Sequence, residues 1–201
     1  KLEYKKNFNL FRYLSVHLPN DIVYKFLLKK SDYILMQHSG QDIIPHKVNG
    51  KKALFGNIID PSILPAGNTS SQNFFIYAGS LSSLKGSDKL YQLVYSFNKR
   101  YSVIIVGQPN DDKSKMIFEQ LKTVDNIDLK GRLPHYDTVQ LIANAKALIN
   151  TSDYEGFPNV FLEAWSMGVP VLSLNVNPGN VFNDRNLGRC FDGDLEKMKE
   201  C

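Results

Sequence analysis

The chain has 201 residues, of which 43% are hydrophobic and 11% aromatic, enough to bury a substantial core in one or two domains. Its net charge of +4 arises in the first part, because residues 1–60 contain ten Lys or Arg against five Asp or Glu, whereas residues 61–201 contain fourteen against fifteen. No apolar run approaches the roughly 18 residues that a membrane-spanning helix needs, and no nucleic-acid-binding motif accompanies the small basic excess, so neither of those protein classes is predicted.

The first sixty residues contain a short mixed set of elements. Helical spacing predicts a helix over residues 21–30, and apolar runs predict strands over residues 33–37 and 52–55. Residues 42–48 fit either kind of element. Pro and Gly among polar side chains in residues 60–73 then indicate a connection to a second domain.

Basic and apolar side chains are interleaved near the start of the chain. Lys5, Lys6 and Arg12 lie among apolar residues, and Lys25, Lys29 and Lys30 follow. One interpretation is peripheral contact with anionic lipid. The other is a solvated helix face that packs on a further domain. Binding of the chain to anionic liposomes at low salt would distinguish the two.

From residue 74 onward the pattern alternates between strands and helices. It predicts strands over residues 74–78, 102–106, 127–130, 147–150 and 170–174, and helices over residues 87–99, 112–123, 136–145 and 158–167. This alternation predicts an α/β fold with a Rossmann-like parallel sheet and helices on both faces. Ligands of such sheets bind at the carboxyl ends of the strands. Gly79, Gly107, Gly131 and the loop over residues 151–157 all fall at those ends.

Two carboxylates flank the predicted start of the helix at Pro158, a residue suited to the first helical position. Glu155 precedes Gly156, Phe157 and Pro158, and Glu163 is the single charged residue between positions 158 and 167. A carboxylate in an apolar setting needs hydrogen-bond donors, which a sugar diol supplies. The free N–H groups at a helix start suit a phosphate. The stretch therefore predicts a nucleotide-sugar site.

This pattern, with Ala-x-x-x-Gly-x-Pro-Val following the second Glu, resembles the donor-site signature of the GT-B glycosyltransferases, specifically the retaining family 4. Residues 77–86, Tyr-Ala-Gly-Ser-Leu-Ser-Ser-Leu-Lys-Gly, resemble the family's first donor-domain strand and phosphate-binding turn. The resemblance implies that residues 1–60 are the end of an acceptor domain with its linker, and that residues 61–201 are a donor-binding domain. It implies transfer of a hexose from a nucleoside diphosphate sugar, such as a UDP- or GDP-hexose, to a glycan or lipid-linked acceptor in polysaccharide or lipopolysaccharide synthesis.

The resemblance also implies roles for single residues. Glu163 accepts hydrogen bonds from the ribose, while Glu155 lies at the transferred sugar and Lys85 at the leaving diphosphate, so these last two are the predicted catalytic residues. Leu133 brackets the base. The remaining donor-binding residues are Gly79, Ser80, Gly107, Gly156, Phe157, Pro158, Asn159 and Val160. Neither a cofactor nor a metal is expected, since the chain has no Asp-x-Asp motif.

One position departs from the family. An arginine usually follows the first glycine of the turn, and this chain has Ser80, which cannot replace a bidentate guanidinium. Arg132 and Arg189 are candidates for that charge by composition. His135 is a candidate for the donor cleft, and Asn177-Pro-Gly-Asn180 is a turn that could lie near it.

Other functions stay open at this point. The chain could be a nucleotide-sugar-binding module without transferase activity, or a donor domain that is inactive without its partner domain. A phosphorylase or epimerase relative is a third alternative, against which the Glu-Gly-Phe-Pro stretch argues. Cys190 and Cys201 have no metal-ligand spacing, and no secretory signal is visible, so a reduced, cytoplasmic protein, peripheral to the membrane at most, is predicted.

Overall fold

A computed structural model describes residues 18–41, 50–60, 62, 64–65, 73–98, 100–184 and 186–200. The chain divides into two compact units, Lys1–Gly56 and Asn57–Cys201. The sequence placed this boundary after residue 60. The ambiguous residues 42–48 and the basic residues Lys5, Lys6 and Arg12 lie outside the described residues, whereas Lys29 and Lys30 lie in the last turn of a described helix. The predicted lipid contact stays a prediction. Among the described residues, no helix is long and apolar enough to cross a membrane.

The first unit contains a helix and a pair of parallel strands. Its elements are α1 (Leu18–Lys30), β1 (Tyr33–Met36), a 3-10 turn (Ser39–Gln41) and β2 (Lys51–Leu54). Tyr33 lies opposite Lys51 in the ladder. Along β1, Ile34 and Met36 are buried while Tyr33 and Leu35 are exposed, which is the alternation expected of a strand covered on one face.

The second unit is the larger. Its strands are β3 (Phe74–Ala78), β4 (Ser102–Val106), β5 (Ile127–Gly131), β6 (Ala147–Asn150), β7 (Val171–Ser173) and β8 (Gly188–Cys190). Its helices are α2 (Ser87–Ser96), α3 (Asp112–Leu121), α4 (His135–Asn144), α5 (Asn159–Ser166), α6 (Val181–Asp184) and α7 (Leu195–Lys199), with a 3-10 turn at Pro178–Asn180.

These strands form one sheet in the order β5-β4-β3-β6-β7-β8, and every neighbouring pair is parallel. In chain order, β4 and β5 extend the sheet on one side of β3, and β6, β7 and β8 then extend it on the other side. The carboxyl ends of all six described strands meet at one edge. The turns after β3 and β6 leave this edge at the point where the direction reverses, which is where open α/β sheets bind ligands.

Helices cover both faces of the sheet. One core contains Leu90 and Leu93 of α2 with Leu121 of α3, and the other contains Ile142 of α4 with Phe161 of α5. Strands between two such layers are buried on both faces, which explains the uninterrupted apolar runs in the sequence. The α/β fold with a parallel sheet and helices on both faces is confirmed.

The predicted strands over residues 74–78, 102–106 and 147–150 have those bounds in the structure. The prediction missed β8 and α6, since no strand or helix was assigned to residues 181–190. A Cβ on Gly188 would lie 2.0 Å from the carbonyl oxygen of Val171, so β8 can pair with β7 only because its first residue is glycine. A three-residue strand of Gly, Arg and Cys has no β signature of its own.

Candidate functional site

The helix α5 begins at the carboxyl edge of the sheet. Pro158 is its N-terminal cap, and Gly168, with a φ of 72°, lies just after its C-terminal cap Met167. The stop at Gly168 agrees with the sequence prediction, whereas Pro158, which was predicted as the first helical residue, precedes the helix and Asn159 begins it. The first amides of a helix have no intrahelical partner and carry the positive end of the helix dipole. The start of α5 can therefore stabilise an anion at this edge.

Glu163 is the buried carboxylate of this helix, with 9% of the residue exposed. Its Oε1 lies 2.8 Å from Nε2 of His135, the first residue of α4, whose side chain is 56% exposed. The structure thus brings together a residue that the sequence assigned to the site and one that it named only as a candidate. One oxygen of the carboxylate thus contacts the imidazole.

Glu155 and Lys85 form the second charged pair. Lys85 Nζ lies 2.6 Å from Glu155 Oε2, and the Glu155 side chain is 14% exposed. The other carboxylate oxygen accepts a 3.0 Å hydrogen bond from Asn150 Nδ2. Asn150 was not predicted as a site residue. A polar residue at the end of an apolar strand, directly before an acidic loop, is the signal that could have found it.

The turn that carries Lys85 is joined to the loop that carries Glu155. The hydroxyl of Thr151 donates to the Lys85 carbonyl at 3.0 Å, and the Asp153 amide donates to the Leu84 carbonyl at 3.1 Å. Lys89 forms an ion pair with Asp153. A Cβ on Gly86, whose φ is 64°, would lie 2.1 Å from the Thr151 carbonyl oxygen. The two loops therefore approach as closely as glycine permits.

Gly79 and Gly107 bring the ends of β3 and β4 into similarly close contact. The Gly79 amide donates to the Val106 carbonyl at 2.9 Å, and the Gly107 amide donates to the Gly131 carbonyl at 2.7 Å. A Cβ on Gly107 would lie 1.9 Å from the Gly79 carbonyl oxygen. The predicted glycines thus form an open backbone surface at the strand ends.

Tyr77 lies beneath this turn and is 3% exposed. The Tyr77 hydroxyl donates a 3.0 Å hydrogen bond to the Ser80 carbonyl, which holds the backbone of the exposed Ser80 in place. Burial, and secondarily the nearby Glu155 carboxylate, raises the pKa of Tyr77 far above its ordinary value. The phenol therefore stays protonated and remains a hydrogen-bond donor at any pH at which the protein would be used.

The segments after β3, β4 and β5, together with α4 and the start of α5, line a cleft of about 630 Å³. Its lining includes the predicted residues Gly79, Ser80, Gly107, Leu133, Asn159, Val160 and Glu163. The lining does not include five predicted residues, which are Gly156, Phe157 and Pro158 in the turn before α5 and the predicted catalytic residues Lys85 and Glu155 in the loops after β3 and β6. Of the candidates, Arg132 and His135 line the cleft, together with Gln108, Asn110 and Thr138.

Two other candidates are placed elsewhere. The Arg189 guanidinium lies 4.9 Å from the ring centroid of Phe191, on the strand at the far end of the sheet, so Arg189 does not line this cleft. Asn177–Asn180 is a turn as predicted, with Pro178–Asn180 in a 3-10 conformation, but it is also absent from the described lining. Within the described residues, the cleft therefore combines one free cation, Arg132, with one buried carboxylate and a helix start.

Comparison with known proteins gives consistent results. The family model of the glycosyl transferases group 1 matches residues 64–193. O-antigen chain mannosyltransferase B of Escherichia coli is 32% identical over 111 residues, which cover 52% of this chain and 29% of that protein. The chain thus spans less than a third of the length of that relative.

Two solved structures are similar in fold. WaaG, a glycosyltransferase involved in lipopolysaccharide biosynthesis, has a TM-score of 0.77 and 18% identity, covering 99% of this chain and 61% of its own. Alr3699/HepE of Anabaena, in complex with UDP and glucose, has a TM-score of 0.71 and 15% identity, covering 90% of this chain and 56% of its own. At these identities the likeness is one of fold.

Proposed function

Because this chain belongs to the glycosyl transferases group 1 family, we propose that it is the nucleotide-sugar-binding part of a retaining GT-B enzyme of family 4. The intact enzyme transfers a hexose from a nucleoside diphosphate sugar to a glycan or lipid-linked acceptor in polysaccharide or lipopolysaccharide synthesis. The observation that carries this proposal is the cleft at the carboxyl edge of the sheet, which is lined by Glu163 and the start of α5. The Lys85–Glu155 ion pair lies in the loops that leave β3 and β6 at the same edge.

In the proposed binding mode, different residues contact the nucleoside, the diphosphate and the sugar of the donor. Glu163 accepts hydrogen bonds from the ribose hydroxyls, and Leu133 lies against the base. The diphosphate lies at the start of α5, near Lys85. Preorganised donors of this kind stabilise negative charge as it develops on the leaving diphosphate, which is often the largest single contribution to catalysis. Glu155 then faces the sugar, where it binds a hydroxyl or stabilises positive charge at the anomeric carbon.

The first test is calorimetric titration of the chain with UDP, GDP and ADP. We expect one of the three to bind, and we expect Lys85→Ala to weaken that binding about 10- to 100-fold, because a charge-assisted hydrogen bond contributes roughly 1.5–3 kcal/mol. Lys113→Ala is the matched control, since Lys113 pairs with Asp88 outside the cleft. A folded chain that binds none of the three nucleotides would contradict the proposal.

Arg132 is proposed to supply the phosphate charge that is missing at Ser80. It lines the cleft together with Ser80 and forms no ion pair with any residue in the described part of the chain. We expect Arg132→Ala to weaken nucleoside diphosphate binding about tenfold, the value of one moderate charge-assisted contact. Adding Ser80→Arg to that variant should restore most of the affinity, because a guanidinium returns to the same diphosphate.

The same titration measures the Arg132 variants, with Arg189→Ala as the control arginine outside the cleft. Unchanged affinity in Arg132→Ala would show that Arg132 does not replace the arginine that is missing at position 80.

A binding module without transferase activity is the second candidate, and the exposed serine at position 80 is the observation that favours it. Transfer assays on the intact protein would separate the two functions, since this chain alone is expected to transfer little sugar.

A further inference from the structure

Asn57 is the first residue of the second unit and contacts the turn that begins α5. Its Nδ2 donates two hydrogen bonds, to the carbonyl oxygen of Phe157 at 2.8 Å and to Oδ1 of Asn159 at 2.7 Å. Phe157 and Asn159 flank Pro158, the N-terminal cap of α5. One amide group from the connecting segment therefore holds both sides of the helix start, about a hundred residues away in sequence.

The two bonds constrain different parts of the turn. Holding the Phe157 carbonyl fixes the peptide plane that enters Pro158, whose own φ is already set by its ring. Holding Oδ1 of Asn159 fixes the orientation of that carboxamide, because its oxygen and nitrogen share one carbon. The Asn159 NH₂ group is then left as a donor, and Asn159 lines the cleft.

We infer that Asn57 is a positioning residue of the donor site, which turns the Asn159 side-chain amide into a fixed hydrogen-bond donor for the diphosphate of the nucleotide. This inference rests on the proposed function. The Asn159 NH₂ group adds to the backbone N–H groups at the start of α5, which already favour an anion. Because its oxygen is occupied by Asn57, the carboxamide cannot rotate to present a repulsive carbonyl to the phosphate.

A purely structural role for Asn57, as an anchor of the connecting segment, makes a different prediction. An anchor would affect the stability of the unit and the binding of every ligand alike. A positioning residue affects the phosphate part of the ligand and leaves the nucleoside part alone. The two roles are therefore separated by comparing a nucleoside diphosphate with its nucleoside.

The experiment compares Asn57→Asp and Asn57→Ala with the unaltered chain. Aspartate keeps the size of the side chain but cannot donate, and it places carboxylate oxygens against the two acceptors. We expect UDP binding, measured by calorimetry, to weaken about tenfold in both variants, while uridine binding, measured by ligand-observed NMR, stays within about twofold. GDP and guanosine replace this pair if GDP is the nucleotide that binds. Ile58→Ala is the control, since Ile58 is 82% exposed.

A double variant tests the route through Asn159. If Asn57 acts by orienting that amide, Asn57→Ala should have little further effect on UDP affinity once Asn159→Ala is present. The inference is overturned if the Asn57 variants bind UDP like the unaltered chain, if UDP and uridine weaken in parallel, or if the two substitutions are additive. Failure of the unaltered chain to bind any nucleotide would instead overturn the proposed function itself.

Discussion

Replacing Glu163 with alanine is expected to weaken nucleoside diphosphate binding by about 100-fold or more, the largest effect of any single substitution in the cleft. In the proposed binding mode an ionised carboxylate accepts hydrogen bonds from two ribose hydroxyls, and hydrogen bonds to charged groups contribute roughly 1.5–3 kcal/mol each. The carboxylate is buried, so water competes poorly for it. Without this side chain, the ribose hydroxyls still give up their water on binding, but they no longer gain a protein acceptor in return.

Calorimetric titration with the nucleotide that binds the unaltered chain measures this effect. Glu163→Gln retains one acceptor oxygen without the charge and should weaken binding less, by about tenfold. Glu119→Ala removes an exposed helix carboxylate that pairs only with Lys122 among the described residues, and it should have no effect. A Glu163→Ala chain that binds within about threefold of the unaltered one would rule out the ribose contact.

Gly107→Ala is expected to produce the largest loss of stability, about 3 kcal/mol or more in the free energy of unfolding. The new Cβ would lie 1.9 Å from the Gly79 carbonyl oxygen, a backbone atom that cannot rotate away. Gly79 is held by its hydrogen bond to Val106, and Gly107 by its bond to Gly131. Relief of the overlap therefore requires β3 and β4 to separate at the edge that forms the cleft.

Urea denaturation measures the free energy of unfolding of this variant. Gly131→Ala is the matched control, because Gly131 ends the next strand with a φ of 65°, yet a Cβ added there would meet no atom within 4 Å. It should cost about 1 kcal/mol, from backbone conformation alone. If the Gly107 and Gly131 variants lose the same stability, steric overlap at Gly107 is not the cause.

The three central strands of the second unit, β3, β4 and β6, could be predicted from sequence because each is a short, largely buried apolar run between two helical layers. Residues 74–78, 102–106 and 147–150 were assigned with the bounds they have in the structure. Helix ends were less certain. The helix assigned to residues 87–99 ends at Ser96, and Asn98 just beyond it has a left-handed φ of 43°, with which the helix cannot continue.

The strand β8 could not be predicted, because it forms only by pairing with β7. That pairing requires a residue without a side chain at Gly188, which lies opposite Val171. The sequence placed the glycines and acids of the site at one edge, since parallel strands end on the same side. It could not pair His135 with Glu163, or Asn57 with the start of α5. Those contacts depend on side-chain directions in helices and turns far apart in the chain.

The close junction between the Lys85 turn and the Glu155 loop has a consequence for how tightly a ligand is held. Contacts of Thr151, Asp153 and Lys89 hold the two loops together in the folded chain, without any ligand. A ligand that touches both loops then finds its two sets of partners already in place, and little chain entropy is lost when it arrives. For such a ligand we expect the charges and hydrogen bonds that the two loops offer to set the affinity, with little contribution from loop closure.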